Sequence, residues 1–232
     1  MAFRAVLKTI AIVSGLWSAT ASADPAFVPV FKENFPDAFV LQHGGQFIAY
    51  STNDGPNVPM ATSSDLVHWA FVGDGTGKKR DALPKLGSWA KQGFTWAPEV
   101  LQLGGKYLLY YTASDVKRNA QCIGVAVASD PLGPFVDDRS EPIVCQADLG
   151  GSIDADAFRD GDGKLYLYFK SDGNRIGKRT AIWGQQLSAD GLSVVGQPVE
   201  LIHDDKLWEQ KLVEAPSMVR SPIGYELFFS AA

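Results

Sequence analysis

The sequence predicts an all-β fold of the β-propeller type, and its internal repeats carry this prediction. Four segments each combine a glycine turn with an aromatic-rich strand. The turns contain Gly45, Gly105, Gly163 and Gly224, so the repeat recurs at intervals of 60, 58 and 61 residues. No long stretch shows the 3.6-residue periodicity and capping residues of a helix. A period of this length, filled with about four short strands, is typical of a propeller blade.

Each repeat contains the same elements in the same order. A short strand with an acidic residue comes first, the glycine turn and the aromatic strand follow, and the first three repeats continue with a third apolar segment. The acidic residues are Asp37, Glu99, Asp154 and Glu214. Because the innermost strands of a propeller surround a central channel, we expect these acids to lie in register and to converge near one mouth of that channel. The alternative is four unrelated acids in strand-entry turns.

The first 23 residues predict a secretory signal peptide. Arg4 and Lys8 precede a short apolar run, TIAIVSGLW, and the small residues ASA at 21–23 form a cleavage site. The run is too short to span a bilayer, although an N-terminal membrane anchor is the alternative. We therefore expect a secreted protein, extracellular or periplasmic, with a single propeller domain at 24–232.

The number of repeats predicts whether the sequence holds all the blades of a propeller. Residues 24–232 hold three full repeats and the first half of a fourth, which ends at LFFSAA. A propeller removes its open sheet edges only by closing its ring. We therefore expect this sequence to be a C-terminally truncated part of a longer natural chain.

The acidic charge limits the classes of partner. The formal net charge is −5, and removal of the two basic residues of the signal peptide takes it to −7. An acidic chain without a basic run argues against nucleic acid and against an anionic membrane as partners, and it is compatible with neutral sugars. The three histidines, His43, His68 and His203, lack metal-ligand spacing, so we predict no metal site.

The two cysteines, Cys122 and Cys145, predict a disulfide, because an even count in an exported protein favours bridging. Cys122 opens the strand-like segment CIGVAVAS, and Cys145 ends EPIVC after an intervening turn-rich segment. An antiparallel pairing of these segments would bring the sulfur atoms together. Two buried free thiols are the alternative.

Paired carboxylates are the general equipment of glycoside hydrolysis. One acts as base or nucleophile, and another holds a proton near neutral pH as general acid. A third acid nearby can raise the pKa of the proton donor and orient it. Asp37, Asp154 and Glu214 fit these roles by residue type. Glu214 lies in VEAPSM, with few charges nearby in the sequence, and an apolar setting would raise its pKa as a general acid requires.

Five segments, in this order and spacing, resemble glycoside hydrolase family 43. They are FPDAFV, WAPEVLQLGGKYLLYYTAS, SDPLGPF, SIDADAFRDGDGKLYLYF and EAPSMVRSPIGYELFFSA. The resemblance covers the chain from about Pro29 to its end. It implies a five-bladed propeller, of which about three and a half blades are present, and an inverting arabinanase, arabinofuranosidase or xylosidase.

The resemblance also implies roles for individual residues. Asp37 matches the general base of the family, Glu214 the general acid, and Asp154 the aspartate that tunes and orients that acid. The family often has proline after that aspartate, where this chain has Ala155. Alternation along the strand places Asp156 on the same face, so both aspartates remain open for the role, and the flanking apolar residues favour Asp154.

Two further residues are candidates for sugar binding. Trp96 resembles a family position that stacks on a sugar ring, since aromatic faces suit the apolar face of a pentose. A core tryptophan is the alternative. Glu99 could hydrogen-bond sugar hydroxyls or could accept from backbone N–H groups.

The resemblance implies no cofactor. Family members often supply a histidine to the axial cavity from their last blades, sometimes beside a bound metal ion such as calcium. No residue of this chain can be assigned to that position.

These observations predict a secreted glycosidase that acts on arabinose- or xylose-containing plant polysaccharide and is monomeric when full length. One alternative is a propeller that binds sugar without cleaving it, for which an intact set of acids is not required. The other is a retaining fructan-processing enzyme on a related propeller, whose NDPNG-like start is not matched by NFPDAF.

Overall fold

The structure, a computed structural model, describes residues 28–231 and is all-β, as predicted. The predicted signal peptide at 1–23 lies outside the described residues. Within the described range, 13 strands form four antiparallel sheets, accompanied by three short 3-10 helices. No helix in this range is long and apolar enough to cross a membrane.

The four sheets follow one another along the chain. The first contains β1 (Phe39–His43), β2 (Gln46–Tyr50), β3 (Met60–Ser63) and β4 (Ala70–Phe71). The second contains β5 (Trp96–Leu103), β6 (Lys106–Ser114) and β7 (Gln121–Ala128). The third contains β8 (Ser152–Arg159), β9 (Leu165–Ser171), β10 (Ala181–Leu187) and β11 (Val194–His203). The fourth contains β12 (Val213–Ser221) and β13 (Gly224–Ala231), and the 3-10 helices span Ala147–Leu149, Gly173–Ile176 and Leu207–Glu209.

The predicted glycine turns join the first two strands of each sheet. In the first sheet Gly44 and Gly45 have φ values of 56° and 77°, and the second sheet repeats this geometry. Two successive residues with positive φ form the kind of tight turn whose twist matches that of a hairpin, and glycine adopts it without steric cost. The glycine pairs therefore fix the register of both hairpins.

The core lies between the sheets and depends on the two faces of β6. Tyr107, Leu109 and Tyr111 face the first sheet, where they pack in one buried cluster. Leu108 and Tyr110 face the third sheet and pack in a second cluster. Burial of each such side chain contributes roughly 1.5–3 kcal/mol. This packing sets the sheets side by side, so the first strands of neighbouring sheets are in contact, β1 with β5, β5 with β8 and β8 with β12.

A disulfide joins Cys122, in β7, to Cys145, with the two Cα atoms 4.7 Å apart. The neighbouring residues Ile123 and Val144 form an antiparallel bridge, which is the pairing that the sequence suggested. The disulfide therefore links the segment that leads into the third sheet to the last strand of the second sheet.

We predict that the protein, folded under oxidising conditions, contains no free thiol. The sequence separation between the cysteines is 23 residues, for which a disulfide contributes on the order of 3 kcal/mol in the chain-entropy model. Thiol labelling of the denatured, unreduced protein should modify neither cysteine, whereas labelling after reduction should modify both. Two labelled thiols before reduction would contradict the bridge.

Candidate active site

A cavity of about 530 Å³ lies where the first segments of the four sheets meet. Its lining includes all five residues that the sequence analysis proposed for catalysis and sugar binding, together with Asp156. The five are Asp37, Trp96, Glu99, Asp154 and Glu214. Residues from four repeats, far apart in the chain, thus share one cavity.

One residue in each of these four segments has a left-handed backbone conformation. The four residues are Asp37, Ala97, Asp154 and Ala215, with φ values of 51°, 40°, 55° and 51°. In β5, β8 and β12 this residue lies in a β-bulge, where the pairing with the next strand skips. A non-glycine residue with positive φ is uncommon and strained, and a bulge redirects the side chains around it.

The bulge corrects the expectation that the four acids occupy one register position. Asp37 and Asp154 are the left-handed residues themselves, but Glu214 lies one residue before its bulge residue and Glu99 two residues after. Asp156 shares the position of Glu99. The acids still converge because the extra residue in each strand turns adjacent side chains toward the cavity, which simple strand alternation does not predict.

Asp37 is held by a side chain from its own sheet. The hydroxyl group of Thr52 donates a hydrogen bond to Asp37 Oδ2 at 2.6 Å. The same Thr52 oxygen accepts from the backbone N–H of Ala97 at 2.9 Å, which leaves the hydroxyl proton for Asp37. The Asp37 residue is otherwise exposed. The carboxyl group therefore has a fixed orientation at a place that water can reach.

Asp154 shares the cavity with two other acids, Glu214 and Asp37, whose charges act on it. Its Oδ2 accepts a hydrogen bond from the backbone N–H of Ala215 at 3.0 Å. Burial raises the pKa of Asp154 to about 6, and the negative charges of Glu214 and Asp37 raise it as well, against the opposing effects of the Ala215 N–H and the Lys170 ammonium. Asp154 can therefore change its protonation state in the mildly acidic range.

The surroundings of Glu214 differ from the apolar setting that the sequence suggested. Lys170 Nζ, from β9, donates a hydrogen bond to Glu214 Oε2 at 3.0 Å. Lys170 is only 1% exposed. The two residues are 44 positions apart, so the local sequence around Glu214 gave no sign of this charge. The available signal was a single lysine inside LYLYFKS, a strand that is otherwise built for a core.

Glu99 and Asp156 form a pair of neighbouring carboxyl groups in the cavity wall. Glu99 Oε1 accepts from the backbone N–H of Ala157 at 2.8 Å, which is the second of the two roles considered for it. Asp156 Oδ2 accepts from the N–H of Met218 at 3.0 Å. Burial raises the pKa of Glu99 well above its usual range, and the charge of Asp156 raises it further. Burial also raises the pKa of Asp156 to about 6, while hydrogen bonds from Met218 and Glu99 oppose that shift. Of the two carboxyl groups, Glu99 therefore holds a proton more strongly, and its protonated oxygen can donate to Asp156.

Trp96 lines the cavity and is partly exposed. It belongs to neither buried cluster of the core. Among residues 28–231, no group of three or more His, Cys, Asp or Glu side chains is arranged to hold a metal ion.

The fold and the site define an all-β protein whose successive sheets bring carboxyl groups to one cavity. Within that class, the chain belongs to the glycosyl hydrolases family 43, whose family model matches residues 27–232.

Individual relatives agree with this assignment. The chain is 27% identical to the extracellular exo-α-(1→5)-L-arabinofuranosidase ArbA of Cellvibrio japonicus, over 84% of this chain and 58% of that protein. It is 41% identical to xylosidase/arabinosidase 43A of Humicola insolens, over 40% of this chain and 23% of that protein. A crystal structure of a thermostable family-43 glycoside hydrolase superposes with a TM-score of 0.71 and 28% identity, covering 84% of this chain and 63% of that one. The chain spans 22–58% of the length of the first curated relatives that it matches.

We predict that Glu99→Gln stabilises the protein at high pH and not at low pH. Because the folded-state pKa of Glu99 is raised, its contribution to stability is complete below the unfolded value of about 4.3 and is lost as the pH rises through the folded value. Glutamine resembles the protonated acid, can donate to Asp156 and cannot ionise. Its melting temperature should therefore exceed that of the wild type at pH 8 and match it at pH 4, below the unfolded value.

Calorimetry at the two pH values measures this difference, and each 1 kcal/mol corresponds to about 2–4 °C in a domain of this size. Glu226→Gln, at an exposed glutamate of β13, is the matched control and should change neither value. A lower melting temperature of Glu99→Gln at pH 8 would show that Glu99 is ionised in the folded protein.

Proposed function

We propose that the protein is an inverting glycoside hydrolase that cleaves O-glycosidic bonds in arabinose- or xylose-containing plant polysaccharides or oligosaccharides. The observation that carries this proposal is the presence of Asp37, Asp154 and Glu214 in the lining of one cavity. Membership of family 43 supports the same conclusion.

In the proposed reaction, Asp37 is the general base. Its carboxylate, oriented by Thr52, accepts a proton from a water molecule whose oxygen attacks the anomeric carbon. Glu214 is the general acid and donates its proton to the departing glycosidic oxygen on the opposite face of the sugar. The carbon–oxygen bond to the leaving group breaks as the bond to water forms, and a later proton exchange with solvent restores both carboxyl groups.

Asp154 is the proposed modulator of the general acid. Its backbone-anchored carboxyl group lies beside Glu214, and its negative charge would help Glu214 to retain a proton until the leaving group needs it. Asp156 is the weaker candidate for this role, because it is paired with Glu99.

The proposed substrate class combines the relatives with one feature of the cavity. The relatives described above are named for arabinose- and xylose-releasing activity, and Trp96 offers an aromatic face suited to a pentose ring. The similarities give no support to a fructan-processing enzyme or to a protein that only binds sugar. We also propose that the sheets are blades of a five-bladed propeller and that the protein is secreted, since ArbA is named extracellular.

We predict that Asp37→Asn and Glu214→Gln each lower kcat/KM by about 10²–10⁴-fold in the full chain, because each removes one proton-transfer step. Hydrolysis of aryl arabinofuranoside and aryl xyloside measures the effect. Asp148→Asn and Glu226→Gln change the same residue types at exposed positions outside the cavity and should retain activity. Near wild-type turnover by either cavity variant would remove that residue from its proposed role.

We predict that the first-formed sugar has the inverted anomeric configuration. Inversion requires a water molecule between the sugar and the base, which corresponds to a separation of roughly 6.5–9.5 Å between the carboxyl groups of Asp37 and Glu214. Proton NMR during the first minutes of hydrolysis distinguishes the two anomers before they interconvert. A product with retained configuration would instead require a carboxylate nucleophile.

A further inference from the structure

In each sheet, one residue in the second strand or just after it faces the left-handed residue at the start of the sheet. In β6, β9 and β13 this residue pairs with the residue that immediately precedes the bulge, and in the first sheet its backbone N–H donates to the carbonyl group of Pro36 in the same way. The equivalent residues are Thr52, Thr112, Lys170 and Ser230. We call this the bulge-facing position.

In the first two sheets the residue at the bulge-facing position is a threonine that contacts the next sheet. Thr52 Oγ1 accepts from the backbone N–H of Ala97 at 2.9 Å, and Thr112 Oγ1 accepts from that of Asp154 at 3.3 Å. Both donors are left-handed bulge residues. A hydroxyl group at this position therefore helps to hold the strained backbone of the following sheet.

The third sheet departs from this pattern because its bulge-facing residue is Lys170. The side chain also reaches the next sheet, but it contacts the Glu214 carboxyl group at 3.0 Å instead of a backbone N–H. Its other carboxylate neighbour is Asp172, at 3.8 Å. An ammonium group that is almost fully buried is costly unless it is paired, so these two acids compensate for its burial.

We propose that Lys170 is a positioning residue for the general acid: it orients the Glu214 carboxyl group and promotes release of its proton. This inference rests on the proposed function, in which Glu214 is the proton donor. When Glu214 gives its proton to the leaving group, it becomes a carboxylate, and an ammonium group 3.0 Å away stabilises that charge as it develops.

Other charges around Glu214 act against Lys170. They are the carboxyl groups of Asp37 and Asp154 in the same cavity and of Asp172 after β9, and the guanidinium group of Arg175 is paired with Asp172 and offsets part of its charge. The carboxylates favour a protonated Glu214, whereas Lys170 favours the ionised form. The site therefore balances proton retention against proton release, and removal of Lys170 should shift this balance toward retention.

The titration of Glu214 tests the inference without relying on catalysis. The carboxyl signal of ¹³C-labelled glutamate, assigned by its absence from Glu214→Gln, is followed with pH in the wild type and in Lys170→Met. We expect the variant to raise the pKa of Glu214 by about 1 unit or more, since an opposite charge within hydrogen-bonding distance has been removed. Lys164→Met, at an exposed lysine of the same hairpin, should leave it unchanged. An unchanged pKa in Lys170→Met would overturn the inference.

A second measurement covers the case in which Lys170→Met does not fold. The ¹⁵N signal of the Lys170 ammonium is then titrated in the wild type and in Glu214→Gln, where the change is at a partly exposed residue. Loss of the Glu214 charge should lower the pKa of Lys170 by about 1 unit or more. Equal pKa values in the two proteins would show that the two groups are not coupled and would overturn the inference.

Kinetics separate positioning of the acid from a purely structural role. The 2,4-dinitrophenolate group of an aryl glycoside leaves without being protonated, whereas the alkoxide of an alkyl glycoside must be protonated by the general acid as it leaves. Lys170→Met should therefore lose at least about tenfold more kcat/KM on the alkyl substrate, and its basic pH limb should move to higher pH. Equal losses on both substrates would indicate a structural role and contradict the proposal. If the wild type hydrolyses neither substrate but the titration still shifts, the proposed function fails while the coupling of Lys170 to Glu214 stands.

Discussion

The arrangement of the site depends on four strained backbone positions, three of which are held by side chains of the preceding sheet. The left-handed residues before β1 and within β5, β8 and β12 bend the chain where it meets the cavity. Such conformations persist only when surrounding contacts compensate for their cost, which is of order 1–3 kcal/mol per residue. Here the compensation comes from side chains of the preceding sheet, Thr52 for Ala97 and Asp154 for Ala215. The packing between the sheets and the positions of the acids therefore depend on the same contacts.

The same contacts between sheets also fix the positions of the acidic side chains. Asp154 uses one oxygen to accept from the bulge of the fourth sheet, and this contact fixes it beside Glu214. Glu99 and Asp156 each lie two residues after the left-handed residue of their strand. Glu99 accepts a hydrogen bond from a backbone N–H of the third sheet, and Asp156 accepts one from the fourth. Backbone N–H groups thereby hold these acids in place. Lys170 adds the one buried ammonium group that approaches this cluster within the described residues.

The sequence predicted the repeats and the residue types of the site, but not its geometry. Regular glycine turns and aromatic alternation reveal strands, because these patterns are local. The sequence did not predict the bulges, because IDAD and WAPE follow ordinary strand patterns. The extra residue becomes visible only in the pairing with the next strand. Lys170 was missed for a related reason, since its partner lies on another sheet. Local sequence therefore predicted which acids lie together in the cavity but misjudged the surroundings of Glu214.

The two-faced packing of β6 has a consequence for how the repeats unfold. In a linear array, each repeat contacts only its neighbours, and the ends can melt before the middle. Here alternate residues of one strand belong to two different buried clusters, Tyr111 to the first and Tyr110 to the second. Neither cluster can be exposed to water without breaking the strand that the other requires. The first three sheets should therefore lose structure in a single cooperative transition, with β6 among the slowest segments of the chain to exchange its amide hydrogens.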